Sequence, residues 1–357
     1  MAKVIPSIRP AHLRADDDSN LGFLKELAGT WEGEGFNLVA RPDKQGGSPL
    51  FLELNQTFET LSFIPISSSI PNRGDLVDDI ELFGLTYLQK VTDIVTKGAL
   101  HIEPGIWIHI PSQDSADGKT ESVARMGNIP HGNSLLAQGT AIKLDPFNGN
   151  PFDPDAVSSV NTAPFPQTNP LTPIPLPGTL SSFPPYDLSN ITDAATHFRT
   201  PFGDSPATAL PTTILGVPMQ DIILDPAKLL TAALSNQVIE SMVVINVSTV
   251  ASLEQEVPQP PPPAAAVPPR TITFDGGGGG VENIPFLQAN ANAAAVFATF
   301  WLEKIQGPTP QDSFLQLQYV QTVFLNFPII KPAPASPVPF TWPHVSVATL
   351  RKTFGGQ

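Results

Sequence analysis

Apolar and polar residues alternate with a period of two through most of the regular segments of the chain. The clearest case is residues 314–327, where leucine, tyrosine and valine alternate with glutamine, threonine and asparagine. This period is typical of a β-strand that buries one of its two faces. The same pattern predicts further strands at residues 51–62, 79–92, 100–110, 121–126, 134–142, 238–250, 295–305 and 345–350.

Helical patterns are short and few. Three leucines spaced by three residues predict a helix at residues 21–28, and an Asp-Pro pair predicts the start of another at residues 226–236. Turn residues such as Lys97-Gly98 and Asp117-Gly118 separate the strands without long helices between them. We therefore predict an all-β fold, a mostly antiparallel up-and-down β-barrel of about eight to ten strands in one domain spanning residues 1–357.

Composition adds long loops to this prediction. The chain has 41 prolines and 26 glycines among 357 residues, which disfavours helices and favours strands joined by ordered connections. We predict residues 1–19 as an N-terminal arm and residues 145–190 as a proline-rich insertion that wraps the barrel wall or covers its mouth. Residues 257–281, rich in proline and glycine, are predicted as a second insertion at the surface.

Charge and cysteine content exclude several functions. The net charge is −14 and no cluster of lysine and arginine is visible, so we do not expect a nucleic-acid partner. The absence of cysteine excludes disulfides and thiolate ligands and fits a reducing compartment. With no apolar run long enough to span a membrane and no secretory signal, we expect a cytoplasmic protein.

Residues 100–111 carry the most distinctive chemistry, because two histidines, a glutamate and a tryptophan fall within one strand pattern. Pro104-Gly105 predicts a bulge or bend, which would change the face of every later side chain. Without the bulge, one face holds His101, Glu103, Trp107 and His109; with it, that face holds His101, Glu103, Ile106, Ile108 and Ile110. In both cases His101 and Glu103 share a face, either towards the enclosed cavity or as the wet face of an amphipathic strand.

Three segments together resemble the nitrobindin-like, heme-binding β-barrels of the calycin superfamily. They are residues 29–35 (GTWEGEG), 101–105 (HIEPG) and 342–347 (WPHVSV). The resemblance covers the N-terminal 140 residues and the last 60, and it leaves out the proline-rich middle. It implies heme b as cofactor, with His344 as the iron ligand and His101 on the opposite side of the heme. Nitric oxide, peroxynitrite or peroxide would be the molecule bound or transformed at the iron.

Other candidate residues surround these positions. His344 shares its strand face with Ser346 and an alanine, which leaves room for a ligand, although a histidine at the barrel rim gives the same pattern. His131 lies in a turn and is either a surface residue or part of the cavity mouth. Trp107 and Arg125 are further cofactor-binding candidates. Arg125 points either outward, which its strand favours, or inward to anchor a carboxylate.

Two alternatives to heme binding remain open. The chain could be a heme-free calycin barrel that binds an apolar small molecule, or a heme-free enzyme with His101 and Glu103 as a general acid–base pair. Whether it is an enzyme stays open; the resemblance would make it a heme-dependent isomerase or a peroxidase-like protein. As partner we expect a small molecule in the barrel cavity, and a homodimer is left open.

Overall fold

Ten long antiparallel strands close into a barrel. The computed structural model describes residues 19–41, 51–72, 79–129, 133–147, 165–169, 172–173, 198–200, 203–204, 210–249, 295–329 and 338–353. The barrel strands are β1 (Gly29–Arg41), β2 (Phe51–Pro65), β3 (Ile80–Asp93), β4 (Ala99–His109), β5 (Thr120–Ile129), β6 (Asn133–Leu144), β7 (Ile239–Ser248), β8 (Ala295–Ile305), β9 (Phe314–Ile329) and β10 (Val338–Thr353).

Each barrel strand pairs with the strands before and after it in the chain, and β10 pairs with β1 to close the barrel. This arrangement confirms the predicted all-β, up-and-down barrel, and its ten strands lie at the upper end of the predicted number. Closure removes the unpaired edges that an open sheet of this size would expose. The prediction of one domain over residues 1–357 stays a prediction.

Short helices and short strands accompany the ten barrel strands. Two short α-helices are α1 (Met219–Leu224) and α2 (Lys228–Ala233). The short strands are Ile70–Asn72, Phe165–Asn169, Thr172–Pro173, Phe198–Thr200, Gly203–Asp204, Thr213–Ile214 and Val217–Pro218, and the 3-10 helices are Gly22–Leu27, Pro111–Gln113 and Pro310–Asp312. Of the predicted arm and insertions, residues 1–18, 148–164, 170–171, 174–190 and 257–281 lie outside the described residues.

The 3-10 helix Gly22–Leu27, which we call the plug helix, closes one end of the barrel. Leu24 and Leu27 are buried in the interior, and the indole Nε1 of Trp31 donates a hydrogen bond to the carbonyl oxygen of Leu27 at 2.7 Å. The sequence predicted this helix at residues 21–28. The lower half of the interior, between the plug helix and the middle of the strands, is filled by apolar side chains.

Strand β4 runs through Pro104-Gly105 without a bulge, so the predicted interruption is wrong. Pro104 pairs with Leu88 and Gly105 with Tyr87 in unbroken register, and the register shift lies nearer the start of β4, before His101. Pairing of β4 with β5 begins at Gly105, so Pro104 lies just outside the paired part of these two strands. The missing N–H group of a proline is tolerated at such a position. The face predicted for the bulge-free case is therefore present, with His101, Glu103, Trp107 and His109 on one side.

The outer wall of β1 and β10 is also buried. Val345 and Val347 of β10 are almost fully buried and pack with apolar residues of α1 and α2, including Ile222 and Leu229. The covering segment that the structure describes is residues 210–234. Among the described residues, no helix is both long and apolar enough to cross a membrane.

Candidate functional site

A layer of polar side chains crosses the barrel interior above its apolar lower half. Its members come from five strands and are nearly fully buried, although strand interiors of this kind are usually apolar. They are Glu59 of β2, Tyr87 and Gln89 of β3, Glu103 of β4, Arg125 of β5, and Tyr319 and Gln321 of β9. We call this set the polar layer.

Arg125 lies at the centre of the polar layer and is 2% exposed. Its guanidinium donates hydrogen bonds to Glu103 Oε1 at 2.8 Å and to Gln321 Oε1 at 2.7 Å, and its Nε donates to the Tyr87 hydroxyl at 3.2 Å. The guanidinium carbon also lies 5.4–5.7 Å from the ring centroids of Tyr87, Trp107 and Phe300. Ion pairing and cation–π contacts together stabilise a charge that burial alone would disfavour.

Glu103 is the anion of this pair and is fully buried. Its Oε1 also accepts a hydrogen bond from the Tyr87 hydroxyl, and its Oε2 lies 3.3 Å from Nε2 of His101. Burial by itself would raise the pKa of Glu103, but the Arg125 charge and the hydrogen bonds from His101 and Tyr87 outweigh it and lower the pKa to about 2. Glu103 is therefore ionised at neutral pH and orients both neighbours.

Glu59 forms the second acidic part of the layer. It accepts hydrogen bonds from the Tyr319 hydroxyl at 2.6 Å and from Nε2 of Gln89 at 2.8 Å. Burial raises the pKa of Glu59 to about 7, because these hydrogen bonds offset only part of the desolvation. The layer therefore combines one fixed ion pair with one carboxyl group that exchanges a proton near neutral pH.

Two histidines lie just beyond the polar layer on the side away from the plug helix, in what we call the upper half of the interior. His101 is the next inward residue of β4 after Glu103. His344 is the next inward residue of β10 after Ser346, which pairs with Gln321. From β10 to β4 the barrel has four strand steps in one direction and six in the other, so the two histidines lie on nearly opposite walls.

His344 is half-buried and held by the backbone of β1. Its Nε2 lies 2.9 Å from the carbonyl oxygen of Ala40. A carbonyl oxygen can only accept a hydrogen bond, so in the neutral ring Nε2 carries the proton and Nδ1 carries the lone pair. A metal-binding histidine typically has such a partner on its second nitrogen.

The structure therefore brings together three of the residues singled out from the sequence, His101, Glu103 and Arg125. Arg125 has the inward orientation, not the outward one that its strand favoured, and the carboxylate it anchors is Glu103 of the protein itself. Trp107 lies below the layer, edge-on to Phe300 at 5.3 Å between ring centroids. His131 lies outside the described residues.

Sequence reasoning missed the remaining members of the polar layer. In β9 the inward residues run Leu317, Tyr319, Gln321 and Val323, so a single glutamine interrupts an apolar series. Glu59 likewise precedes the inward Leu61 in β2. A polar residue at an inward position of a long alternating strand was the available signal for a functional or structural layer.

A separate cavity of about 330 Å³ lies outside the barrel wall. It is bounded by α2, by the hairpin of Thr213–Ile214 and Val217–Pro218, and by outward residues of β1 and β10 such as Glu32, Glu34 and Arg351. The strand wall separates this cavity from the polar layer, so it is not part of the candidate site.

Comparisons with known proteins add little to this description. No family model and no curated protein matches the chain. A solved structure titled "Crystal Structure of Rv2717c from M. tuberculosis" is similar with a TM-score of 0.31 and 10% sequence identity, over 96% of this chain and 99% of that chain. The fold assignment rests on the strand pairing of this chain, and a likeness of this degree carries no argument about function.

Proposed function

We propose that the protein is a barrel that binds a small ligand in the upper half of its interior, and that this ligand is heme b held by His344. The observation that carries the proposal is the placement of His344 and His101 on nearly opposite walls, one inward position beyond the polar layer. A planar cofactor between two such walls would have one histidine on each side. The polar layer would form the floor of the site.

The residues present fit heme in their chemistry. His344 is half-buried, and its ring is held by the Ala40 carbonyl oxygen. An eight-stranded barrel is already wide enough to hold one small ligand, and a ten-stranded barrel is wider. When bound, the heme would supply an iron centre for a diatomic molecule or peroxide, as in the nitrobindin-like proteins that the sequence resembles.

His101 would act on the side of the site opposite His344. Its Nε2 faces Glu103 Oε2, so the ring is oriented by a carboxylate that Arg125 keeps ionised. A ring held in this way can donate or accept a hydrogen bond at the other nitrogen towards a bound molecule. We assign His101 to positioning and proton exchange on that side, and Glu103 to holding its ring.

The test is titration of the purified protein with hemin, followed by its absorption spectrum. We expect a Soret band that saturates at one heme per chain. His344→Ala should lose tight binding while the far-UV circular dichroism stays unchanged, and the matched variant Ser346→Ala should bind as the native protein does. His101→Ala should keep heme and change reactivity towards nitric oxide or peroxide.

Three results would contradict this proposal. If the native chain develops no Soret band, heme is not the ligand. If His344→Ala keeps heme and His101→Ala loses it, the roles of the two histidines are exchanged; if both bind like the native protein, the iron ligand is elsewhere and His131 is the next candidate.

The second candidate function is a heme-free enzyme, and the hydrogen bond between His101 and Glu103 favours it. With a pKa of about 2, Glu103 would be a fixed anion in such an enzyme and His101 the group that exchanges the proton. Binding of an apolar fluorescent probe without any response to hemin would favour this function or simple apolar-ligand transport. Loss of turnover in Glu103→Gln with probe binding retained would then favour the enzyme.

A further inference from the structure

The plugged end of the barrel holds a cluster that the polar layer and the proposed ligand site do not use. His109 ends β4, Asp114 follows the 3-10 helix Pro111–Gln113, and Glu121 is the second residue of β5. Within the part of the chain that the structure describes, these three residues form the one group of histidine and acidic side chains spaced for a metal ion, with ligand atoms within 4.8 Å of one another.

The tautomer of His109 decides what the cluster can hold. Its Nδ1 lies 2.6 Å from the carbonyl oxygen of Asn20, which can only accept a hydrogen bond, so Nδ1 carries a proton. The other nitrogen, Nε2, lies 2.9 Å from Asp114 Oδ2 and 3.9 Å from Glu121 Oε2. In a neutral ring the lone pair of Nε2 would face oxygen atoms of both carboxyl groups, an arrangement that a bound cation would stabilise.

The imidazole is buried and aimed at this point, since the side chain of His109 is 4% exposed. The two carboxylates are held as well. Asp114 Oδ1 accepts a hydrogen bond from the amide of Ser122 at 3.0 Å, and Glu121 Oε2 accepts one from the amide of Phe23 at 2.5 Å. All three side chains are thus oriented by backbone groups before any ion binds, which is the preorganisation that metal sites show.

We propose that His109, Asp114 and Glu121 bind a divalent transition-metal ion of the zinc class. Zinc binds one imidazole nitrogen and carboxylate oxygens at about 2.1 Å, so its ligand atoms lie within about 4.2 Å of one another. The two measured separations, 2.9 Å and 3.9 Å, already fall within that range. An imidazole ligand favours zinc over calcium and magnesium, which bind oxygen ligands.

Such an ion would fasten the plug helix to the barrel. His109 contacts the carbonyl oxygen of Asn20 just before the plug helix, and Glu121 contacts the amide of Phe23 within it. Gly22 leaves the room that Glu121 occupies, because a Cβ atom there would collide with the carboxylate. Binding of zinc would therefore stabilise the closed end, independently of whether heme binds at the other end.

The experiment is calorimetric titration of the chelator-treated full chain with zinc alone, together with its thermal unfolding. We expect one zinc per chain and, at a zinc concentration about 100 times the Kd, a rise of about 5 °C in the unfolding temperature. Asp114→Asn keeps an acceptor for the Ser122 amide and should raise the Kd at least about 10-fold. The matched control is Asp117→Asn, an exposed acid in the same loop, which should leave the Kd unchanged.

A native chain that takes up no zinc would overturn the proposal. Unchanged affinity in Asp114→Asn would also overturn it. Should that variant fail to fold, Glu121→Gln decides in the same way, because its amide oxygen can still accept from Phe23. His344→Ala should bind zinc like the native chain, which separates this site from the proposed heme site.

Discussion

Replacing Arg125 by methionine tests whether the polar layer is held together by its central ion pair. Methionine fills much of the same volume but leaves Glu103 fully buried, with hydrogen bonds from only Tyr87 and His101 and no neighbouring cation in the layer. Removing one partner of a buried ion pair costs about 3–5 kcal/mol. The lowering of the Glu103 pKa from 4.5 to about 2 corresponds to a similar value, about 3 kcal/mol.

The assay is urea unfolding at pH 7 and at pH 5. At pH 7 we expect Arg125→Met to lose about 3–5 kcal/mol of unfolding free energy. Without the arginine, burial would raise the pKa of Glu103 above its usual range, so the variant would bind a proton there as pH falls. The loss should therefore be smaller at pH 5 than at pH 7.

Two controls sharpen the result. The double variant Arg125→Met/Glu103→Gln has no unpaired buried charge and should be more stable at pH 7 than Arg125→Met alone. Arg351→Met removes an exposed arginine that lies over the Phe314 ring and should cost less than about 1 kcal/mol. A loss below about 1 kcal/mol in Arg125→Met, or a double variant that is no more stable, would refute the reasoning.

Two further predictions concern other buried contacts. Because the pKa of Glu59 is raised to about 7 in the folded state, the folded protein holds a proton on Glu59 between pH 4.5 and 7 that the unfolded chain has lost. The stabilisation that comes from binding this proton is lost as pH rises through that range. In urea unfolding, the unfolding free energy of Glu59→Gln should therefore exceed that of the native chain by up to about 3 kcal/mol at pH 8 and by little at pH 5. An equal difference at both pH values would contradict this. Trp31→Phe should lose about 1 kcal/mol in the same assay because the Leu27 carbonyl oxygen loses its donor, and an unchanged midpoint would count against that role.

Most strands of the barrel could be predicted because a period of two is a local property. The longest missed strand end contains prolines. β10 begins at Val338, seven residues before its predicted start, although it contains Pro339 and Pro343. Pairing with β9 extends through both prolines. Contacts with the neighbouring strand therefore overcome the local tendency of proline to disfavour a strand, which is all that the sequence pattern shows.

The pairing in the candidate site could not be predicted in the same way. Arg125 and Glu103 lie on neighbouring strands, but their contact depends on the register in which Trp107 pairs with Arg125. Register is determined by the whole hydrophobic pattern of both strands and by the connection between them. The cluster of His109 with Asp114 and Glu121 depends in addition on the segment just before the plug helix, where the carbonyl group of Asn20 determines the histidine tautomer.

The outer cover of the barrel also determines where His344 lies. Alternate residues of β10 point to opposite faces, and Val345 and Val347 are buried outside the barrel against α1 and α2. A shift of β10 by one residue would move both valines inside and turn His344 and Ser346 outward against the apolar residues of α1 and α2, where burying polar side chains is unfavourable. The helices on the outside therefore help to keep the proposed iron ligand facing the interior.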